Sequence, residues 1–179
     1  MLYHRYCRGD SQAYDDLMRR HDEKLLWYLY GILHNYQDAE DMVIEAFAWI
    51  MYKKPKIADG CFKAYLFQVG RRYAIRHKTR SRRADEFCLE GLTVEPTSEI
   101  LIENEIIDAE KKQILHECLS RIDQTTAEAL YLIYFEGLSY AEAAGVMKVN
   151  TKKIDNLVAR GKQKLREELK KEGITNLFA

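Results

Sequence analysis

Lys152, Lys153, Asn156 and Arg160 recur at the spacing of one helical face, and their side chains share one chemistry. Ammonium and guanidinium groups neutralise phosphates, while Asn and Arg offer hydrogen bonds that match base edges in the major groove. A second set of cations, Arg71, Arg72, Arg76, Lys78, Arg80, Arg82 and Arg83, follows or interleaves with Tyr65, Phe67 and Tyr73. Such rings stack on unpaired bases while the cations hold the backbone, each stack contributing roughly 1–3 kcal/mol. A plainer account stands beside both readings: a solvated basic face over aromatics packed in a core, the account preferred for Tyr73. The sequence holds no nucleophile–base pair or P-loop. Cys7, Cys61, Cys88 and Cys118 are widely spaced, and His116 near Cys118 is too little for a zinc site. They read as reduced, mostly structural thiols of a cytoplasmic protein. No catalytic residue, metal or cofactor is expected.

The first set of cations needs a rigid helix to present it, and the stretch Ser139 to Leu165 supplies one. Ala143, Ala144 and Met147 fall on one side of a short helix, and Ile154, Leu157 and Val158 form the inner stripe of a second. Ser139 with Glu142 reads as a capping box, and Asn150 stands where an N-cap of the second helix belongs. Ala144 is expected at the crossing of the two helices. The pattern is that of a helix-turn-helix, or of an ordinary helical hairpin with a solvated face. Lys148 stands at the turn where a glycine commonly supplies a positive φ, at a cost of about 1 kcal/mol.

Upstream, apolar residues from Tyr14 to Ile32 recur at helical spacing after a cap at Asp10 or Ser11. A polar break, HNYQD, precedes a helix from Ala39 to Tyr52 whose stripe is Met42, Val43, Ala46, Phe47, Ile50 and Met51. Its other side carries DAED and continues through Glu45 to Trp49. First-turn acids suit the helix dipole, which is the plain account of Asp38, Glu40 and Asp41. KKPKIADGCF reads as a loop. A helix from Lys63 to about Arg80 then turns Leu66, Val69, Gly70, Tyr73 and His77 inward and spreads Arg71, Arg72, Arg76 and Arg80 outside. Ile106, Ile107, Ile114, Leu115, Cys118 and Leu119 make a further helix. Ala129 to Phe135 makes another, ended by Gly137.

With two prolines and nine glycines in 179 residues, the chain reads as all-α rather than β-rich or disordered. Its formal net charge is zero, yet the charge is segregated. The basic block ending at Arg83 is followed from Asp85 to Glu110 by acidic charges alone. Two small helical domains are expected, 1–83 and 105–179, joined by an acidic linker over 84–104. No apolar run approaches the ~20 residues of a bilayer span, so no membrane insertion is expected, and no signal-peptide core opens the chain.

RGDSQAYDDL, DAEDMVIEAFAWI and KAYLFQVGRRYAIRHKTRSRR together resemble region two of a bacterial RNA polymerase sigma factor. EALYLIYFEGLSYAEAAGVMKVNTKKIDNLVARGKQKLREEL resembles region four. With a short linker and no region three, the order resembles the extracytoplasmic-function group. That resemblance implies a chain that binds core RNA polymerase, through the clamp helices and the flap, and directs initiation at promoters. It assigns Asp38, Glu40, Asp41, Met42 and Glu45 to core binding. It assigns the loop Lys54 to Phe62, with Lys54, Lys56 and Phe62, to capture of a flipped base of the minus-ten element. Tyr65, Arg71, Arg72 and Arg76 would hold the melted strand. Thr151, Lys152, Lys153, Asn156 and Arg160 would enter the major groove of the minus-thirty-five element, and an anti-sigma factor would be a further partner.

Some residues depart from the family pattern. Arg72 and Arg76 stand where members often have Asn and Asp, and the proline that commonly opens the region-four core is absent around Ile122 to Gln124. Asp155 would repel phosphate unless it accepts from a cytosine amine. Two other readings remain at this point: a stand-alone helix-turn-helix regulator, and a sigma-like adaptor that does not initiate.

Overall fold

The computed structural model describes residues 2–87, 114–115 and 117–172. These are helical with no strand among them, and they group into two compact units, one built around α1–α4 and the other around α5–α7.

The first unit opens with α1 (Leu2–Cys7), a six-residue helix absent from the periodicity reading. A Gly9 turn at φ 101° leads to α2 (Gln12–Leu33). Ser11 stands at the cap position without a side-chain bond, and Asp10 does the capping, its carboxylate accepting from the Ala13 amide at 3.3 Å. The expected polar break shrinks to His34 and Asn35. His34 takes the left-handed conformation (φ 55°), and the Asn35 side chain accepts from the Asp38 amide. With that cap in place α3 starts at Tyr36 rather than Ala39 and runs to Lys53. After the loop, α4 (Phe62–Phe87) passes both Arg80 and the expected domain boundary at Arg83. Nothing in its sequence breaks a helix there: the first proline beyond Pro55 is Pro96. The rest of the expected acidic linker, with Ile106 and Ile107, lies outside the described residues.

α2, α3 and α4 pack on one another and α1 lies against α2. Leu25, Leu29, Phe47, Ile50, Leu66 and Phe67 are fully buried between them. At about 25 cal/mol per Å2 of apolar surface, such burial is the main force holding the unit together. Gly70 lets α4 approach α2 closely, because a Cβ there would stand 2.9 Å from Leu25 Cδ1.

In the second unit Leu115, Cys118 and Leu119 are buried. Asp123 caps α5 (Gln124–Leu130) by accepting from the Thr126 amide at 3.1 Å. The expected helix to Phe135 does not continue as an α-helix. Residues Tyr131–Phe135 widen into a π turn, the Glu136 amide reaching the Tyr131 carbonyl. Gly137, at φ 62°, ends it and lets the Leu138 amide reach the Leu132 carbonyl. The capping box opens α6 (Tyr140–Met147), with Glu142 accepting from Ser139 N–H at 2.8 Å. Lys148 does adopt the left-handed turn, at φ 55°. Asn150 then caps α7 (Thr151–Lys171) through the Lys153 amide at 2.8 Å.

Gly161 is the tightest approach in this unit. A Cβ there would lie 2.6 Å from Thr126 Cγ2 and 2.8 Å from Leu130 Cδ1, so α7 rests on α5 almost backbone to side chain. Gly161→Ala is expected to destabilise by about 1–3 kcal/mol, since a β-branched methyl cannot swing away. Gly70→Ala meets only the end of a leucine, and a helix-propensity gain of about 1 kcal/mol offsets that shift. Thermal unfolding followed by circular dichroism checks the contrast; equal effects of the two changes would refute it.

Candidate nucleic-acid interface

In the second unit, the helix-turn-helix holds its outer face open. Burial of Ile154, Leu157, Val158, Leu165 and Leu169 fixes the rotation of α7. Thr151, Lys152, Lys153, Asn156 and Arg160 are consequently all exposed, together with Asp155. Cations along α7 are treated differently by position. Lys162 lies over the Tyr134 ring at 5.1 Å, Lys164 pairs with Asp123 at 3.6 Å, and Lys171 pairs with Glu168 at 2.5 Å. Arg121 ties Glu168 and Glu172 back to the preceding segment, at 3.4 and 2.7 Å. Lys152, Lys153 and Arg160 make no ion pair among the described residues. The first half of the helix therefore presents three unpaired cations on one exposed face, while Arg166 and Lys170 are the exposed cations of the second half with no ion pair among the described residues.

In the first unit the expected acidic surface is divided. Asp41 and Glu45 are exposed on α3, alongside Ile44 (61 % exposed) and Tyr52 (81 %). Glu40 is half-buried, and so is Asp38, whose carboxylate stands 3.3 Å from the His77 ring. Met42 is 6 % exposed. It belongs to the core, as its place in the apolar stripe requires, and not to the acidic surface.

The basic face of α4 is likewise sorted by packing. Arg72, Arg76 and Arg80 are exposed, while Arg71 is half-buried. Arg72 is not loose: its guanidinium lies 4.8 Å from the Trp49 ring and 5.6 Å from that of Tyr73, within cation–π range of both. Lys78 instead donates to the Ile32 carbonyl at 2.8 Å, closing the C-terminal end of α2. Phe67 corrects the expectation that it interleaves as a stacking ring: it is fully buried, 5.1 Å from Tyr28. Tyr65 and Tyr73 are half-buried.

The loop between α3 and α4 carries Lys54 and Lys56, both exposed, around a buried Ile57. Lys54 ends α3 in the left-handed conformation (φ 44°), with its ammonium 4.8 Å from the Tyr6 ring. Phe62 opens α4 half-buried between Tyr3 (5.2 Å) and His21 (5.6 Å). Burial pushes the His21 imidazole down to about 4, helped by Lys63, Arg20 and Lys24, and its Nδ1 is buried without a hydrogen-bond partner among the described residues. Sequence spacing gave no signal for Tyr3, His21 or Trp49, whose contributions depend on neighbours distant along the chain. Among the described residues no group of His, Cys, Asp and Glu could hold a metal ion, and no helix is long and apolar enough to cross a membrane.

The chain matches the family model for sigma-70 region 2 over residues 17–84 and that for sigma-70 region 4 over residues 112–165. It is 25 % identical to the RNA polymerase sigma-H factor of Pseudomonas aeruginosa, covering 94 % of this chain and 92 % of the other. It is 26 % identical to the RNA polymerase sigma factor NccH of Alcaligenes xylosoxydans, over 92 % and 90 % of the two chains. The extracytoplasmic-function sigma factor SigW of Bacillus subtilis is 22 % identical over 91 % and 92 %. Among solved structures, the fold is similar to that of the sigma factor RpoE in its complex with the anti-sigma factor NepR from Bartonella quintana. That likeness has a TM-score of 0.66 and 23 % identity, covering 87 % of this chain and 97 % of the other. CnrH in its complex with the cytosolic domain of CnrY gives 0.65 and 22 %, over 94 % and 95 %.

The folded state keeps His21 neutral where the unfolded chain binds a proton, from about pH 6.5 down to about 4. Its contribution is therefore complete above about 6.5 and shrinks as pH falls toward 4. Acidification across that window is expected to destabilise the wild-type first unit by about 2 kcal/mol more than a His21→Leu variant. Urea unfolding followed by tryptophan fluorescence reads this unit alone, since both tryptophans, Trp27 and Trp49, lie in it. Parallel pH curves for the two proteins would remove the argument.

Proposed function

Because the chain belongs to the sigma-70 family of RNA polymerase sigma factors, in its extracytoplasmic-function group, we propose that its two helical units divide promoter recognition between them. As a sigma factor it binds core RNA polymerase and directs promoter-specific initiation. The observation that carries the residue assignment is the face presented by the first half of α7, where Lys152, Lys153 and Arg160 are exposed with no ion pair among the described residues, whereas Lys162, Lys164 and Lys171 are engaged. That half, with Thr151 and Asn156, enters the major groove of the upstream element. Phosphate contacts give affinity and steep salt dependence; Asn156 and Arg160 read base edges. Asp155, exposed beside them, accepts from a cytosine amine and selects against sequences that lack one there.

In the first unit Lys54, Lys56 and Phe62 form the loop that captures an extruded base of the downstream element. Arg72 and Arg76, with Tyr65 and Arg71 partly buried behind them, hold the displaced strand. Opening duplex costs about 1.4 kcal/mol per base-pair step, and stacking plus phosphate neutralisation offsets part of it without a cofactor or a covalent step. The protein is read as a cytoplasmic non-enzyme. Asp41 and Glu45, with exposed Ile44 between them, engage the polymerase clamp, Asp38 and Glu40 contributing from the edge of that surface; Met42 supports it from beneath. The helix-turn-helix unit meets the flap. The domains proposed are 1–83 and 105–179 with an acidic tether over 84–104, of which α4 takes the first four residues, and an anti-sigma protein is included among the partners on the strength of family membership.

Holoenzyme reconstituted with this chain and a pooled promoter library is expected to give transcript starts that share two spaced upstream blocks. Lys153→Ala lowers use of the upstream block evenly across sequences and reduces the salt slope by about one. Asp41→Lys with Glu45→Lys is expected to weaken core association roughly ten-fold or more, because like charge replaces complementary charge at the contact. Intact core association in that double variant would remove the acidic surface from the assignment. Tight, sequence-specific duplex binding by the purified chain at physiological salt would favour a stand-alone regulator instead.

A further inference from the structure

The loop that joins α3 to α4 has little backbone bonding of its own. The Lys54 amide reaches back to Ile50, and the Cys61 amide to Ala58. Yet Ile57 is buried and Pro55 half-buried, so the loop is held. What holds it is α1. The Tyr3 hydroxyl donates to the Pro55 carbonyl at 2.7 Å, and the His4 ring places Nε2 at 3.1 Å from the Ile57 carbonyl. His4 Nδ1 faces the Asp59 carboxylate at 3.3 Å. One turn on, the Tyr6 hydroxyl donates to the Met51 carbonyl at 3.3 Å, and its ring lies under Lys54. The Tyr3 ring, 3 % exposed, also packs at 5.2 Å from Phe62, the residue at the far end of the same loop.

We propose that α1 is a clamp that presets the base-capture loop, with Tyr3 and His4 as positioning residues that set how sharply the downstream promoter element is discriminated. The inference rests on the loop assignment given under Proposed function. Its physical basis is the cost of ordering. A loop of about eight residues that must freeze on binding loses conformational entropy from the interaction with each base, whereas one already anchored at its carbonyls does not. Two anchored carbonyls, Pro55 and Ile57, flank Lys56 and so fix the backbone from which that ammonium projects. A donor on α1 thus acts on a base it never touches.

Tyr3→Phe removes one hydroxyl while keeping the ring packed on Phe62. His4→Leu removes the second anchor, and His4→Gln restores an amide donor that can reach the Ile57 carbonyl. Each variant is reconstituted with core polymerase and tested on promoters in which the downstream block is varied base by base and the upstream block is constant. Tyr3→Phe and His4→Leu are each expected to reduce the preference for the best over the next base by roughly three- to ten-fold, the effect of about one hydrogen bond. Core association and upstream-block discrimination stay at wild-type values, and His4→Gln recovers most of the lost preference. Wild-type discrimination in both α1 variants, with Lys56→Ala and Phe62→Leu altering it, would overturn the clamp alone. Wild-type discrimination in the loop variants as well would overturn the loop assignment, and the clamp with it. A uniform fall at every promoter together with lost core association would reduce α1 to a fold-stabilising helix.

Discussion

Both helices assigned to nucleic acid are laid against the helix beneath them at a glycine, and the rest of each unit depends on how close that contact is. At Gly161 there is no room for even one carbon between α7 and the Thr126 and Leu130 side chains of α5. At Gly70 the fit of α4 on α2 is nearly as tight, but the opposing atom is the end of Leu25. A glycine within a helix costs about 1 kcal/mol relative to alanine. Here that cost permits a buried crossing that sets the rotation of the helix, and rotation decides which charged residues meet solvent.

Once rotation is fixed, charge is distributed by proximity to partners. In the second unit the cations of α7 that pass near Tyr134, Asp123 and Glu168 are engaged, and those at its start are not. The capping box and the Asn150 cap place that start at a stable helix N-terminus, so the open cations are held by a rigid backbone. In the first unit Lys78 closes α2 and its neighbour His77 stands by Asp38, so one residue of the basic stretch is engaged within the fold. Arg72, by contrast, is held over Trp49 and stays exposed. A neutral net charge is compatible with nucleic-acid binding because packing, and not composition, sorts the charges into acidic and basic faces.

The loop between α3 and α4 shows the same logic at smaller scale. It has the proline and the Asp-Gly pair expected of a turn, yet its order comes from side chains more than forty residues earlier in the chain. Short terminal helices are easily read as incidental. Here α1 covers Phe62, bonds two loop carbonyls and lies under Lys54.

What the sequence determined by itself is what local chemistry encodes. The stripes of α2, α3 and α7, the Ser139–Glu142 capping box, the Asn150 cap and the strained Lys148 turn all involve residues within four or five positions of one another, so spacing suffices to find them. The outward face of Thr151, Lys152, Lys153, Asn156 and Arg160 followed from the same periodicity. Tertiary structure decided the rest. Burial of Met42 and Phe67, the loss of Lys78 to a carbonyl of α2, the exposure of Asp41 against the half-burial of Asp38, and the very existence of α1 depend on residues far apart in the chain. A six-residue helix has too few positions to show a period, and an aromatic among arginines looks alike in sequence whether it faces solvent or core. Only the packing of helices, which settles who sits opposite whom, distinguishes the two.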